Sequence, residues 1–141
     1  MAGRIVVGVD GSEGAAHALE WAATEARLRQ ATLEVVVAWT YPSATQPPMS
    51  HPPISDEQLA REGDAVIDHT LSLRDIDVRG VDIQRKVVAG LPQDVLVNEA
   101  RGALMVVVGA RGLTGLKSVL VGSTSKHVIQ HAPCPVLVVR A

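Results

Sequence analysis

Four short runs of apolar, largely β-branched residues recur along the chain: Ile5-Val6-Val7-Gly8-Val9, residues 33–39, residues 104–108 and Val136-Leu137-Val138-Val139. Runs so little interrupted by charge suit strands that are covered on both faces, as the strands of a parallel sheet are. A fifth run over residues 81–88 alternates imperfectly and carries Asp82, Arg85 and Lys86. It reads as a strand nearer a sheet edge.

Helical patterns lie between the runs. Residues 13–30 are rich in alanine, with Ala15, Leu19, Ala22 and Ala26 on one face. Ser12 is placed to cap this helix, and Glu13 falls in its first turn, where the helix dipole favours a carboxylate. Ser55 and Gln58 stand in capping-box register ahead of Leu59, Val66, Ile67 and Leu71. Pro92 suits the first position of a third helix that ends by Gly102, and Ser123 is the expected cap of a last helix through about His131, stopped by Pro133 and Pro135. The order β-α-β-α-β-α-β-α-β predicts an α/β fold with a mainly parallel sheet and right-handed crossovers. The proline-rich stretch 41–53 reads as a long solvated loop.

At 141 residues, 47% of them hydrophobic, the chain is expected to form a single domain over residues 1–141. Cys134 is the sole cysteine, so no intrachain disulfide can form and a reducing, cytoplasmic setting is expected. A formal charge of -2 and three aromatic residues, Trp21, Trp39 and Tyr41, argue against nucleic acid as a partner. No apolar run approaches the length of a bilayer span, so no membrane role is expected. Trp21 and Trp39 read as packing residues, with Trp39 also placed to report on a bound base.

In open doubly wound sheets, ligands bind beyond the carboxyl ends of the strands where the strand order reverses. The residues leaving the first and fourth strands are Asp10-Gly11-Ser12 and Gly109-Ala110-Arg111-Gly112. Gly109, Gly112 and Gly122 can bring backbone amides close to an anion, and Gly122-Ser123 opens the last helix, whose free amides suit a phosphate. Arg111, Lys117 and Lys126 are nearby cations that could add charge, although each reads first as a solvated surface side chain. The spacing matches neither a Walker P-loop nor the Rossmann dinucleotide fingerprint.

Gly109, two residues, Gly112, nine residues and then Gly122-Ser123 resembles the ATP-binding signature of the universal stress protein family. Residues 6–12 are similar to its first strand and turn, Gly90-Leu91-Pro92 to the start of its third helix, and residues 131–139 to its C-terminal strand. The resemblance implies an adenine nucleotide alpha hydrolase-like fold with a five-stranded parallel sheet ordered 3-2-1-4-5 and helices on both faces. It also implies a homodimer joined through Val136, Leu137, Val138 and Val139, and ATP with Mg²⁺ held between strands one and four. Carried onto this chain, Asp10 sits at the adenosine end, Gly8 and Val9 line the base, and Ala38, with Trp39 as the substitute, meets the adenine edge. Gly109 approaches the ribose, with Ala110 and Arg111 following in the same loop. Gly112, Gly122, Ser123 and Thr124 surround the phosphates.

Plainer readings stand beside these. Asp10 alone can make an Asx-type turn before a helix. His127, His131 and Cys134 suggest a zinc site but lack a fourth ligand. Ser12 is not in a Gly-x-Ser-x-Gly elbow, which argues against a hydrolase triad. The leading expectation is an ATP-binding regulatory module of a stress response. The alternatives are a slow ATPase or self-phosphorylating enzyme with Ser123 or Thr114 as acceptor, a sensor of AMP or cyclic AMP, and a scaffold that uses no ligand.

Overall fold

A computed structural model describes residues 3–40, 55–110 and 122–140. The elements follow in strict alternation: β1 (Arg4–Gly8), α1 (Glu13–Arg29), β2 (Thr32–Trp39), α2 (Asp56–Leu73), β3 (Ile83–Ala89), α3 (Pro92–Glu99), β4 (Met105–Gly109), α4 (Ser123–His131) and β5 (Val136–Val139). All four strand pairings are parallel, and the order across the sheet is β3-β2-β1-β4-β5. The charged β3 is an edge strand, as its sequence predicts. No described helix is long and apolar enough to cross a membrane.

Local chemistry sets the helix starts. The Ser12 side chain accepts from the Ala15 N–H at 3.1 Å. Ser55 accepts from Gln58 N–H at 3.1 Å while the Gln58 side chain accepts from Ser55 N–H at 3.3 Å, a reciprocal capping box. Pro92 is the first residue of α3, where its missing N–H costs nothing. The last helix departs from expectation: Gly122 is its N-cap and Ser123 its first helical residue, with no side-chain cap among the described residues. α1 ends at Gln30, which takes the left-handed conformation.

Because side chains alternate along a strand, each interior strand feeds two cores. Ile5, Val7, Leu33, Val35 and Val107 pack against α1 and α2. Val6, Val36, Val106 and Val108 pack against Val95 and Leu96 of α3 and Val128 of α4. The buried face of α1 is wider than its four-residue stripe predicts, since Ala16, Ala18 and Ala23 join Ala15, Leu19, Ala22 and Ala26. Trp21 does not pack into a core: it stands on the outer face of α1, 52% exposed.

Two close approaches fix how tightly helices meet the sheet. A Cβ on Gly109 would lie 2.7 Å from the Gly14 carbonyl oxygen, so the first turn of α1 rests directly on the end of β4. A Cβ on Gly8 would meet the Leu96 side chain at 2.7 Å. Backbone cannot move aside as a leucine can. Gly109→Ala should therefore destabilise the protein by about 1–3 kcal/mol, the usual range for overpacking, and Gly8→Ala by less. Urea denaturation of both variants checks the ranking, and equal losses would contradict it.

On the α3 face of the sheet, Glu34 is a buried carboxyl beside Arg4, Lys86 and Glu99. Arg4 donates to its Oε2 at 2.9 Å and to the Glu99 carbonyl at 2.7 Å, while Lys86 sits 2.9 Å from the Glu99 carboxylate. Glu34 Oε1 is buried without a hydrogen-bond partner among the described residues. Burial, reinforced by the neighbouring Glu99 carboxylate, pushes the Glu34 carboxyl above the usual glutamate range. A raised folded-state value means this group favours the folded state most at acid pH, and that contribution fades as pH rises through the raised value. Glu34→Gln, which keeps an acceptor for Arg4 and removes the ionisation, should thus gain stability relative to wild type as pH rises from 4 to 8. Denaturation midpoints across that range test it; a relative loss on raising the pH would contradict it.

Candidate functional site

All strands run one way, so the helices that follow them begin at the carboxyl edge of the sheet. Between β1 and β4, where the strand order reverses, that edge opens into a cavity of about 300 Å³. Gly8, Val9 and Asp10 form one wall as the chain leaves β1, with Val36 and Ala38 of β2 beside them. Val108 and Gly109 form the β4 wall, Pro92 and Leu96 of α3 close one side, and Gly122, Ser123, Thr124 and Ser125 close the other. Ser12 and Ala15 contribute from the start of α1. Strand ends and helix N-termini thus meet around one space, apolar toward the sheet and polar toward α4.

The structure therefore brings together Gly8, Val9, Asp10, Ala38, Gly109, Gly122, Ser123 and Thr124. Arg111 and Gly112, with Thr114 and Lys117, lie outside the described residues. Ala110 is not on the wall: it is buried, its N–H donates to the Val139 carbonyl at 2.9 Å and its own carbonyl accepts from Gly122 N–H at 2.6 Å. Lys126 is exposed and off the wall. Trp39 points to the α2 side, where its indole N–H donates to Glu62 at 3.0 Å; of the two alternatives Ala38 is the one on the cavity, beside Val36. Asp10 makes the Asx-type turn as well, its Oδ1 accepting from Ser12 N–H at 3.0 Å and from the Ser12 hydroxyl at 2.6 Å.

The character of the α4 end sets the chemistry. The first N–H groups of any helix lack intrahelical partners, and here Lys126 N–H to Gly122 carbonyl, at 2.9 Å, is the first such bond. Gly122 brings no side chain to cap the amides of Ser123, Thr124 and Ser125, and no acidic residue stands in the first turn. α1 and α2 differ on both counts, having serine caps and first-turn carboxylates. Among the described residues the positive end of α4 thus faces the cavity without a side-chain cap or a first-turn carboxylate, which suits an anion. The Gly122 amide itself is spent on Ala110, so the donors on offer begin at Ser123. Gly109 lacks a Cβ where α1 crowds it, a packing demand its place in the signature does not reveal.

Val36, Val108, Pro92, Leu96, Ala15 and Ser125 were not expected on the wall; only tertiary packing brings them there. Two of them carried a local signal. Pro92 and Leu96 are four residues apart on α3 and so share a helical face. Elsewhere, the His127 and His131 rings approach at 4.4 Å between centroids, but among the described residues no three His, Cys, Asp or Glu side chains converge on a possible metal site. Burial holds the Cys134 thiol above its ordinary range.

Residues 1–140 match the model of the universal stress protein family. The chain is 33% identical over 140 residues to universal stress protein Rv2005c of Mycobacterium tuberculosis, covering 97% of this chain and 48% of that protein. It spans about half the length of the mycobacterial relatives it matches. Universal stress protein YxiE of Bacillus subtilis is 31% identical over 150 residues, covering 99% of this chain and all of that one. Among solved structures, UspA of Lactobacillus plantarum superposes with a TM-score of 0.75 at 27% identity, covering 99% of this chain and 98% of that one. A universal stress protein in complex with cAMP gives 0.68 at 26% identity, covering 99% and 97%. The Archaeoglobus fulgidus protein in complex with dAMP gives 0.63 at 26%, covering 98% of each chain. With the family model matched from end to end on the sheet order that the signature implies, the chain belongs to the universal stress protein family.

Proposed function

We propose that the cavity between β1 and β4 binds an adenine nucleotide, with ATP accompanied by Mg²⁺ as the preferred form, and that the protein works as a nucleotide-dependent regulatory module. The observation that carries this reading is the uncapped N-terminus of α4 opening onto the cavity. The similar proteins solved with cAMP and dAMP support the adenine nucleotide class. In this reading the base lies against Gly8, Val9 and Ala38, with Asp10 at the adenosine end and Gly109 beside the ribose. The phosphates meet the amides of Ser123 and Thr124, and Arg111 and Gly112, outside the described residues, are proposed as further phosphate contacts. Mg²⁺ would be held chiefly by the phosphate oxygens and its own water, and would neutralise phosphate charge there. Nucleotide then shifts the protein only by its differential affinity for two states, which is how occupancy would be signalled to a partner.

Mass spectrometry of ligand released from freshly purified, denatured protein tests the class. Calorimetric titration of stripped protein with ATP, ADP, AMP and cyclic AMP in Mg²⁺ tests the preference. ATP should bind tightest, and Gly122→Val should abolish binding without loss of the fold. Tighter binding of cyclic AMP or AMP would replace the triphosphate preference with a monophosphate sensor.

The same reading includes a homodimer through β5. That strand lies at the sheet edge, with no strand paired to its outer side among the described residues, and Val136, Leu137 and Val138 are half-buried. Val136→Lys should shift the sedimentation coefficient from dimer to monomer while leaving the circular dichroism unchanged. A variant that remains dimeric would place the interface elsewhere.

A further inference from the structure

Ser125 is the third residue of α4 and is 3% exposed. A serine at that helical position commonly points to solvent. This one instead turns its hydroxyl inward and donates to the carbonyl of Gly109, the last residue of β4. The bond joins two walls of the cavity, because both Ser125 and Gly109 lie on it.

Its geometric effect follows from a second tether. Gly122 N–H donates to the Ala110 carbonyl at 2.6 Å and fixes where α4 begins. One tether at the cap, even with the body of the helix packed down, leaves the first turn free to twist. Ser125 lies three residues on, roughly 300° around the helix and about 4.5 Å along it. Tethers at those two points set both position and rotation, and so set where the N–H groups of Ser123, Thr124 and Ser125 aim. Farther along, Val128 is fully buried against the sheet and holds the body of the helix independently of either tether.

We infer that Ser125 is a positioning residue for the phosphate-bearing part of the ligand: its hydroxyl, anchored on Gly109, orients the amides of the α4 N-terminus toward the cavity. The inference rests on the reading of this cavity as an adenine nucleotide site. It gives Ser125 a role that depends on the ligand's charge, because the base and ribose lie against strand ends, Gly109 among them, that the sheet pairing already holds in place.

Titration of wild type, Ser125→Ala and Ser125→Thr with ATP and with adenosine separates the possibilities. Ser125→Ala should weaken ATP roughly three- to tenfold, the size expected for relaxing one hydrogen bond, and leave adenosine unchanged. Ser125→Thr, which keeps the hydroxyl, should restore the ATP affinity. The adenosine arm reports whether the cavity is still formed. An alanine variant whose ATP-to-adenosine affinity ratio equals that of wild type would overturn the inference while leaving the nucleotide reading intact. A wild type that binds neither ligand would overturn that reading and the inference with it.

Discussion

Five parallel strands oblige each connecting helix to begin at the carboxyl edge of the sheet and return along its face. From β1 the chain steps outward through β2 to β3, and then crosses back to β4 and β5. With crossovers of one hand, the two directions of travel put α1 and α2 on one face and α3 and α4 on the other. The strands where the directions part, β1 and β4, have helices leaving to opposite sides. A crevice opens there at the carboxyl edge, between the helices that leave to the two sides. The apolar floor, the strand-exit backbone and three helix N-termini around one space all follow from that reversal.

The charged groups near the sheet follow the same geometry. At the cavity, α4 presents amides with no side-chain cap, a local deficit of satisfaction that an anion would remove. Away from it, Glu34 is a deficit of another kind, a carboxyl buried among Arg4, Lys86 and Glu99 whose Oε1 has no hydrogen bond among the described residues, only Lys86 Nζ at 3.9 Å. The first of these opens onto the cavity of about 300 Å³. The difference is one of position, since Arg4 begins β1 and Gly8 ends it.

Much of this was legible in the residues. Strands covered on both faces must be apolar nearly throughout, so runs such as Ile5-Val6-Val7 announced themselves, and charge in β3 announced an edge. Ser12, Ser55 and Pro92 marked helix starts because their chemistry acts within one turn. The strand exit at Asp10 was placed beside the site by topology, and Gly8 and Val9 were placed there by the resemblance to the family. The last helix was misread by one residue, because serine is the better cap and Ser123 follows a glycine. The structure spends that glycine where a side-chain cap would have occupied the amides. Trp21 escaped a periodicity carried by alanines, since a face built from small residues does not say where one large ring goes. Ser125 and Leu96 could not be placed on the cavity without knowing how α3 and α4 lie on the sheet. The demand on Gly109, made by a carbonyl from residue 14, is a contact between segments that are 95 residues apart.

The account stands on the amides at the start of α4 meeting a nucleotide phosphate. Nitrogen-15 correlation spectra of the stripped protein, recorded as ATP and Mg²⁺ are added, read that contact directly. The largest amide shifts should fall at Ser123, Thr124 and Ser125, with smaller ones at Gly8, Val9, Asp10 and Ala38. Saturable shifts confined to other surfaces, or none at all at the start of α4, would contradict it.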